Sequence, residues 1–173
     1  MASYKEHDFF KTSLVADKYD STAIMNAENF NLKHDNLSFS SRRNGLRDSY
    51  LAIFKALDNS FNLEFMVNDD YIDSWEEYDK KQIIFPLEKQ VEVVQSINAL
   101  YSAIENHQLN FESIDDKVGF VEEAKSCKTS LIKECLDPDW CNIRRAILIL
   151  ELIKRFFEES IEEKKTIIKY ELY

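Results

Sequence analysis

The sequence predicts a mainly α, single-domain protein over residues 1–173: a helical bundle around a buried C-terminal helix, with room for one or two short strands. Three observations lead there. Glycine and proline number two each, where average usage gives about 12 and about nine. A chain so poor in turn residues does not suit a turn-dense β-sandwich or a glycine-rich phosphate loop. Long stretches carry apolar residues at helical spacing. One of them, Ala146 to Ile153, is apolar nearly all round, broken by Glu151, as a helix enclosed by the rest of the fold requires. With 173 residues, 45% of them hydrophobic, the chain is long enough to bury a core without disulfide or metal staples.

In chain order, Asp8 to about Asn29 reads as a weak helix, with Phe9, Phe10, Leu14, Val15, Tyr19, Ile24 and Met25 as its apolar positions. Asn29 to Ser41 is rich in Asn and Ser and reads as a connection, although the Leu37-Ser-Phe39 alternation also suits a short strand. A helix is expected from Ser41, with Leu46, Tyr50, Phe54 and Leu57 on one face. Asp58-Asn59-Ser60 is a stop signal. Beyond it, Phe61, Leu63 and Phe65 either continue the helical face or alternate as a strand.

Asn68 to Lys81 reads as an acidic helix. Pro86 suits the first turn of the next one, whose stripe is Leu87, Val91, Val94, Ile97, Tyr101 and Ile104. Ser113-x-x-Asp116 resembles a capped start ahead of Val118, Phe120 and Val121. Asp137-Pro138-Asp139 combines a cap, a first-turn proline and a negative charge at the positive end of the dipole. It announces the buried helix, which turns charged after Phe157. Thr166 to Tyr173 is β-branched and aromatic and suits either a helix end or a terminal strand.

Charge bounds the function. Lys plus Arg is 22 and Asp plus Glu is 32, a net charge of −10. Direct nucleic-acid or anionic-lipid binding needs cationic patches and is not expected. No secretory signal, membrane span or zinc spacing is visible, and the three cysteines, Cys127, Cys135 and Cys141, form no C-x-x-C. The expectation is a cytoplasmic protein with free thiols, no cofactor, no metal and no enzymatic activity. His7-Asp8 and His34-Asp35 lack the further ligands of a metal phosphohydrolase, with His107 as the third histidine. Glu158, Glu159, Glu162 and Glu163 adjoin Lys164 and Lys165, as on a solvated helix face. Arg42, Arg43 and Arg47 make a small basic cluster, expected to pair with the protein's own carboxylates.

The feature that stands out is acidic. Between Asp58 and Asp79 lie eight carboxylates and no Lys or Arg. On a helix, Tyr71, Trp75 and Tyr78 share one side and most of the acids the other. A helix selected for stability alone mixes Glu with Lys at i,i+4; a one-sign face repels itself. The expected partner-binding residues are Asp69, Asp70, Asp73, Trp75, Glu76, Glu77, Tyr78 and Asp79. They point to an acidic inhibitory binding protein of the immunity or antitoxin kind. It would cover the basic site of a cationic partner such as a nuclease toxin, with aromatics as anchors. The alternatives are a helical scaffold or regulatory module binding through the apolar face of the 87–104 helix, and a DNA-mimicking anti-defence protein.

Overall fold

A computed structural model describes residues 4–13, 36–42, 45–67, 83–106, 117–126 and 143–172. These residues are predominantly helical. The elements are β1 (Tyr4–Thr12), β2 (Asn36–Arg42), α1 (Gly45–Leu57), a 3₁₀ turn (Glu64–Met66), β3 (Ile83–Phe85), α2 (Leu87–Asn106), α3 (Lys117–Ser126), α4 (Ile143–Glu163) and β4 (Thr166–Leu172). The four strands form one antiparallel sheet in the order β2-β1-β4-β3. That is more strand than one or two short segments.

The largest departure from expectation is at the N-terminal end, where Tyr4–Thr12 is a strand and not the start of a helix. Phe9 faces α4, with its ring 5.8 Å from Phe157 and 6.2 Å from Phe39. Phe10 is on the opposite face beside its cross-strand partner Ile168, and both are buried. A strand buried on both faces loses its polar-apolar alternation. Adjacent apolar residues then look no different from a short stretch of buried helix. β2 realises the strand reading of Leu37 and Phe39, both buried, and runs on to Arg42, so α1 begins at Gly45 and not at Ser41. β4 realises the terminal-strand reading of Thr166 onward.

Residues 61–65 are neither strand nor continued helix. Helix α1 ends with two backbone bonds, Asn59 N to Phe54 O at 3.1 Å and Asp58 N to Lys55 O at 3.3 Å, with Asp58 left-handed at φ 50°. This is a Schellman ending with aspartate where glycine is usual. Ser60 to Leu63 then closes a tight turn with Phe61 and Asn62 both left-handed (φ 54° and 57°), the pattern of a type I′ turn. Leu63, Phe65 and Met66 follow into the core.

Helix α4 is the centre of the packing, as its sequence demands. From Arg145 to Ile153, and again at Phe156, Phe157 and Ser160, its residues are buried. It packs on α1, α2, α3 and the sheet. Two of its buried acceptors have specific donors: the Tyr50 hydroxyl donates to Ala146 O at 2.9 Å, and that of Tyr101 to Glu151 Oε2 at 2.7 Å. Arg155 binds Glu151 Oε1 through Nε at 3.2 Å. Its Nη2 caps the end of α3 at Ala124 O and Lys125 O. Burial pushes both tyrosine hydroxyls far above the usual phenol range, so they act as permanent donors.

On α2 the buried row is Gln90, Val93, Ile97, Leu100, Tyr101 and Ile104. The expected stripe is thus correct from Ile97 onward, but Leu87 and Val91 are exposed and Val94 is half-buried. Gln90 takes the place of an apolar residue because its amide has work there: Nε2 donates to Phe85 O at 2.8 Å and Lys165 O at 2.7 Å, joining β3 to the α4–β4 corner. The Asp137-Pro138-Asp139 start, the Ser113-x-x-Asp116 cap and the three cysteines lie outside the described residues.

Candidate functional site

The eight expected partner-binding residues, Asp69, Asp70, Asp73, Trp75, Glu76, Glu77, Tyr78 and Asp79, all lie outside the described residues. What the structure fixes is the chain on either side of them. Val67, the last described residue before residues 68–82, offers its carbonyl to Arg47 Nε at 3.1 Å. Two residues earlier, the Phe65 ring meets Phe85 edge-on at 5.1 Å. After the run, Ile83 enters β3 and pairs with β4 at Lys169. The chain is therefore held on either side of residues 68–82, where the 3₁₀ turn meets β3.

A groove of about 390 Å³ opens beside that place, between Asn59, Ser60, Phe61 and Asn62 on one wall and Glu92, Gln95, Ser96 and Ala99 of α2 on the other. It adjoins a hollow of about 210 Å³, with Asn62, Glu92 and Ser96 lining both. The hollow is further lined by Phe65, Ile83, Phe85 and Val93, and by Glu64 and Lys89. The spacing of 92, 95, 96 and 99 places them along one side of α2, turned away from its buried row. The opposite wall is set by the left-handed pair Phe61-Asn62. A phenylalanine there is strained and is held by Phe61 N bonding Asn59 Oδ1 at 2.8 Å and by packing on the core.

Glu64 is the carboxylate whose chemistry is best defined in this region. The Ser60 hydroxyl donates to Glu64 Oε1 at 2.7 Å. That bond, with a second from the residue's own backbone, holds its pKa below the ordinary carboxylate value. It is ionised at neutral pH and exposed.

The described members of the other constellations take structural roles, while His34-Asp35, His107 and Arg43 lie outside the described residues. His7 stacks on Phe39 with ring centroids 5.1 Å apart, whereas the Asp8 carboxylate accepts the Ser38 hydroxyl, so the pair splits across the two faces of β1. Arg47 bonds Val67 O and lies 3.7 Å from Asp48. Glu159 and Glu163 flank the buried Lys11 ammonium at 3.5 and 3.2 Å, and Glu158 lies 3.7 Å from Lys154. Among the described residues no three His, Cys, Asp or Glu side chains converge as metal ligands, and no helix is long and apolar enough to cross a membrane.

The groove was not legible in the sequence. Asp58-Asn59-Ser60 signalled a helix end, and nothing in it said that the turn would stand over the polar side of a helix some 30 residues on. Comparison of the chain with models of known protein families, with curated proteins and with solved structures finds no match.

Proposed function

We propose that the protein is an acidic inhibitory binding protein, of the immunity or antitoxin kind, that neutralises a cationic protein partner by covering its basic site. The observation that carries this reading is the run of eight carboxylates from Asp58 to Asp79 without a single Lys or Arg. Such a field steers a basic partner in and rejects acidic ones. Tyr71, Trp75 and Tyr78 within the run supply the amphipathic area that interface anchors need. Two further points support it. The chain is held on either side of residues 68–82, at Val67 and at Ile83, which lowers the ordering cost of binding. The groove beside that place carries Glu64 of the run and one further exposed carboxylate, Glu92, so the negative face extends beyond the run.

The test is charge reversal in the run. The Asp70→Lys, Asp73→Lys, Glu77→Lys triple variant is expected to keep its fold, which its circular dichroism spectrum and melting temperature check. It is expected to bind the captured basic partner more slowly and with a shallower salt dependence than wild type. Equal capture of the same partner by both proteins across a salt series removes the acidic run from the interface and overturns the proposal.

A further inference from the structure

We propose that the groove between the Asn59–Asn62 turn and α2 seats an extended peptide segment and receives one of its lysine or arginine side chains in the adjoining hollow. This deepens the partner-binding reading and rests on it, by naming which part of a basic partner is gripped and where.

The hollow has the two properties such a side chain needs. Phe65, Ile83, Phe85 and Val93 line it with apolar surface, and Lys and Arg bury their aliphatic stems against such surface while the charged head stays at the rim. Carboxylates stand on both walls, Glu64 from the 3₁₀ turn and Glu92 from α2, against the single ammonium of Lys89 among the lining residues. The hollow is therefore net negative, and the Ser60 hydroxyl, donating to Glu64 Oε1, favours the ionised form of that carboxylate.

The groove that leads into it has a different chemistry. Its walls carry the carboxamides of Asn62 and Gln95 and the hydroxyl of Ser96, with Ala99 as a small side chain at the end. Each of these polar groups both donates and accepts. An extended backbone offers one N–H and one C=O per residue to such walls, whereas a helix has already paired its own. The volume, about 390 Å³, falls within the roughly 300–1,000 Å³ of binding clefts. The turn on one side and the packed helix on the other hold the walls in place before the segment arrives, which limits the entropy lost on binding.

The experiment is a titration of the ¹⁵N-labelled full chain, followed by NMR, with the blocked peptide Gly-Gly-Lys-Gly-Gly. Its norleucine counterpart and spermidine are parallel probes. The lysine peptide is expected to shift the Asn62, Gln95 and Ser96 signals saturably, and the norleucine peptide to leave them in place. Glu64→Gln with Glu92→Gln is expected to weaken lysine-peptide binding about five-fold, and Lys89→Gln to strengthen it, as rim charges of opposite sign should. All three positions are exposed, so the variants fold, and their spectra report that directly.

Absence of saturable shifts at these residues, or equal shifts with norleucine, overturns the proposal. Equal shifts with spermidine overturn the peptide assignment, because a polyamine has no backbone amides. The Asp70→Lys, Asp73→Lys, Glu77→Lys protein separates the two readings. If its groove shifts persist while it captures partner as well as wild type, the acidic-run reading fails and the groove stands. If the lysine peptide moves only residues 69–79, the groove fails and the run stands.

Discussion

Among the described residues, four other than glycine occupy the left-handed region: Asp58, Phe61, Asn62 and Lys164. In a chain with two glycines, turns that usually recruit glycine must be made from other residues, and the strain is placed where tertiary packing holds it. Lys164 ends α4 in a Schellman motif, with Lys165 N on Ser160 O at 3.0 Å and Lys164 N on Ile161 O at 3.2 Å. Its side chain is exposed. Lys164→Gly removes the clash of a Cβ in this region and adds backbone freedom to the unfolded chain. The first effect is the larger, so a gain of about 0.5–1 kcal/mol is expected. Calorimetry should register it as a rise in melting temperature of about 1–4 °C. A lower melting temperature would show that Lys164 contributes a contact that outweighs its strain.

At the scale of elements, the sheet is fastened to α4 by a buried cation. Lys11 is 1% exposed, lies 5.1 Å over the Phe156 ring, and donates to Glu163 Oε1 at 3.2 Å. Glu163 also meets Lys165 Nζ at 3.0 Å. The hydrogen bond from Lys165 is the main reason its carboxyl is held below the ordinary range, with Lys11 adding to it against partial burial. The folded value thus lies below the unfolded one, about 4.3. The ionised carboxylate stabilises the fold above that pH, and the contribution is lost as acid takes the pH down through the depressed value. Glu163→Gln lacks this contribution. Urea midpoints of variant and wild type are expected to differ at pH 7 and to converge as the pH falls below the ordinary carboxylate range. A gap that stays constant with pH would assign the effect of the substitution to packing.

At the scale of the whole molecule, the buried residues of the sheet, α1, α2 and α3 meet on α4. Leu150 is wholly buried there, in the middle of the helix. Leu150→Ala is expected to cost about 2–5 kcal/mol, the range for cavities in well-packed cores, read from denaturant unfolding. Leu150→Asp leaves a charge in the same place and is expected to unfold the protein, seen as loss of cooperative thermal unfolding. A cooperatively folded Leu150→Asp protein would mean that α4 is not the centre of the core.

The sequence by itself determined the helical character, the central helix and the negative charge, because each is written in local pattern. An all-round apolar stretch such as Ala146–Ile153 admits few positions in a fold, and net charge needs no fold at all. What only the tertiary structure decided is what depends on partners distant in the chain. Tyr4–Thr12 is a strand because β2 and β4 pair with it on either edge and both of its faces are covered. Without those neighbours, Phe9-Phe10 has no period to read. Gln90 is buried because two carbonyls, Phe85 O and Lys165 O, converge on its amide, and no helical stripe could announce that. The groove exists because a strained turn after α1 comes to rest across α2 from Glu92, Gln95 and Ser96. Its walls are brought together by burial of Leu63, Phe65 and Val93 in a shared core, a long-range packing that no local pattern of the walls' own residues encodes.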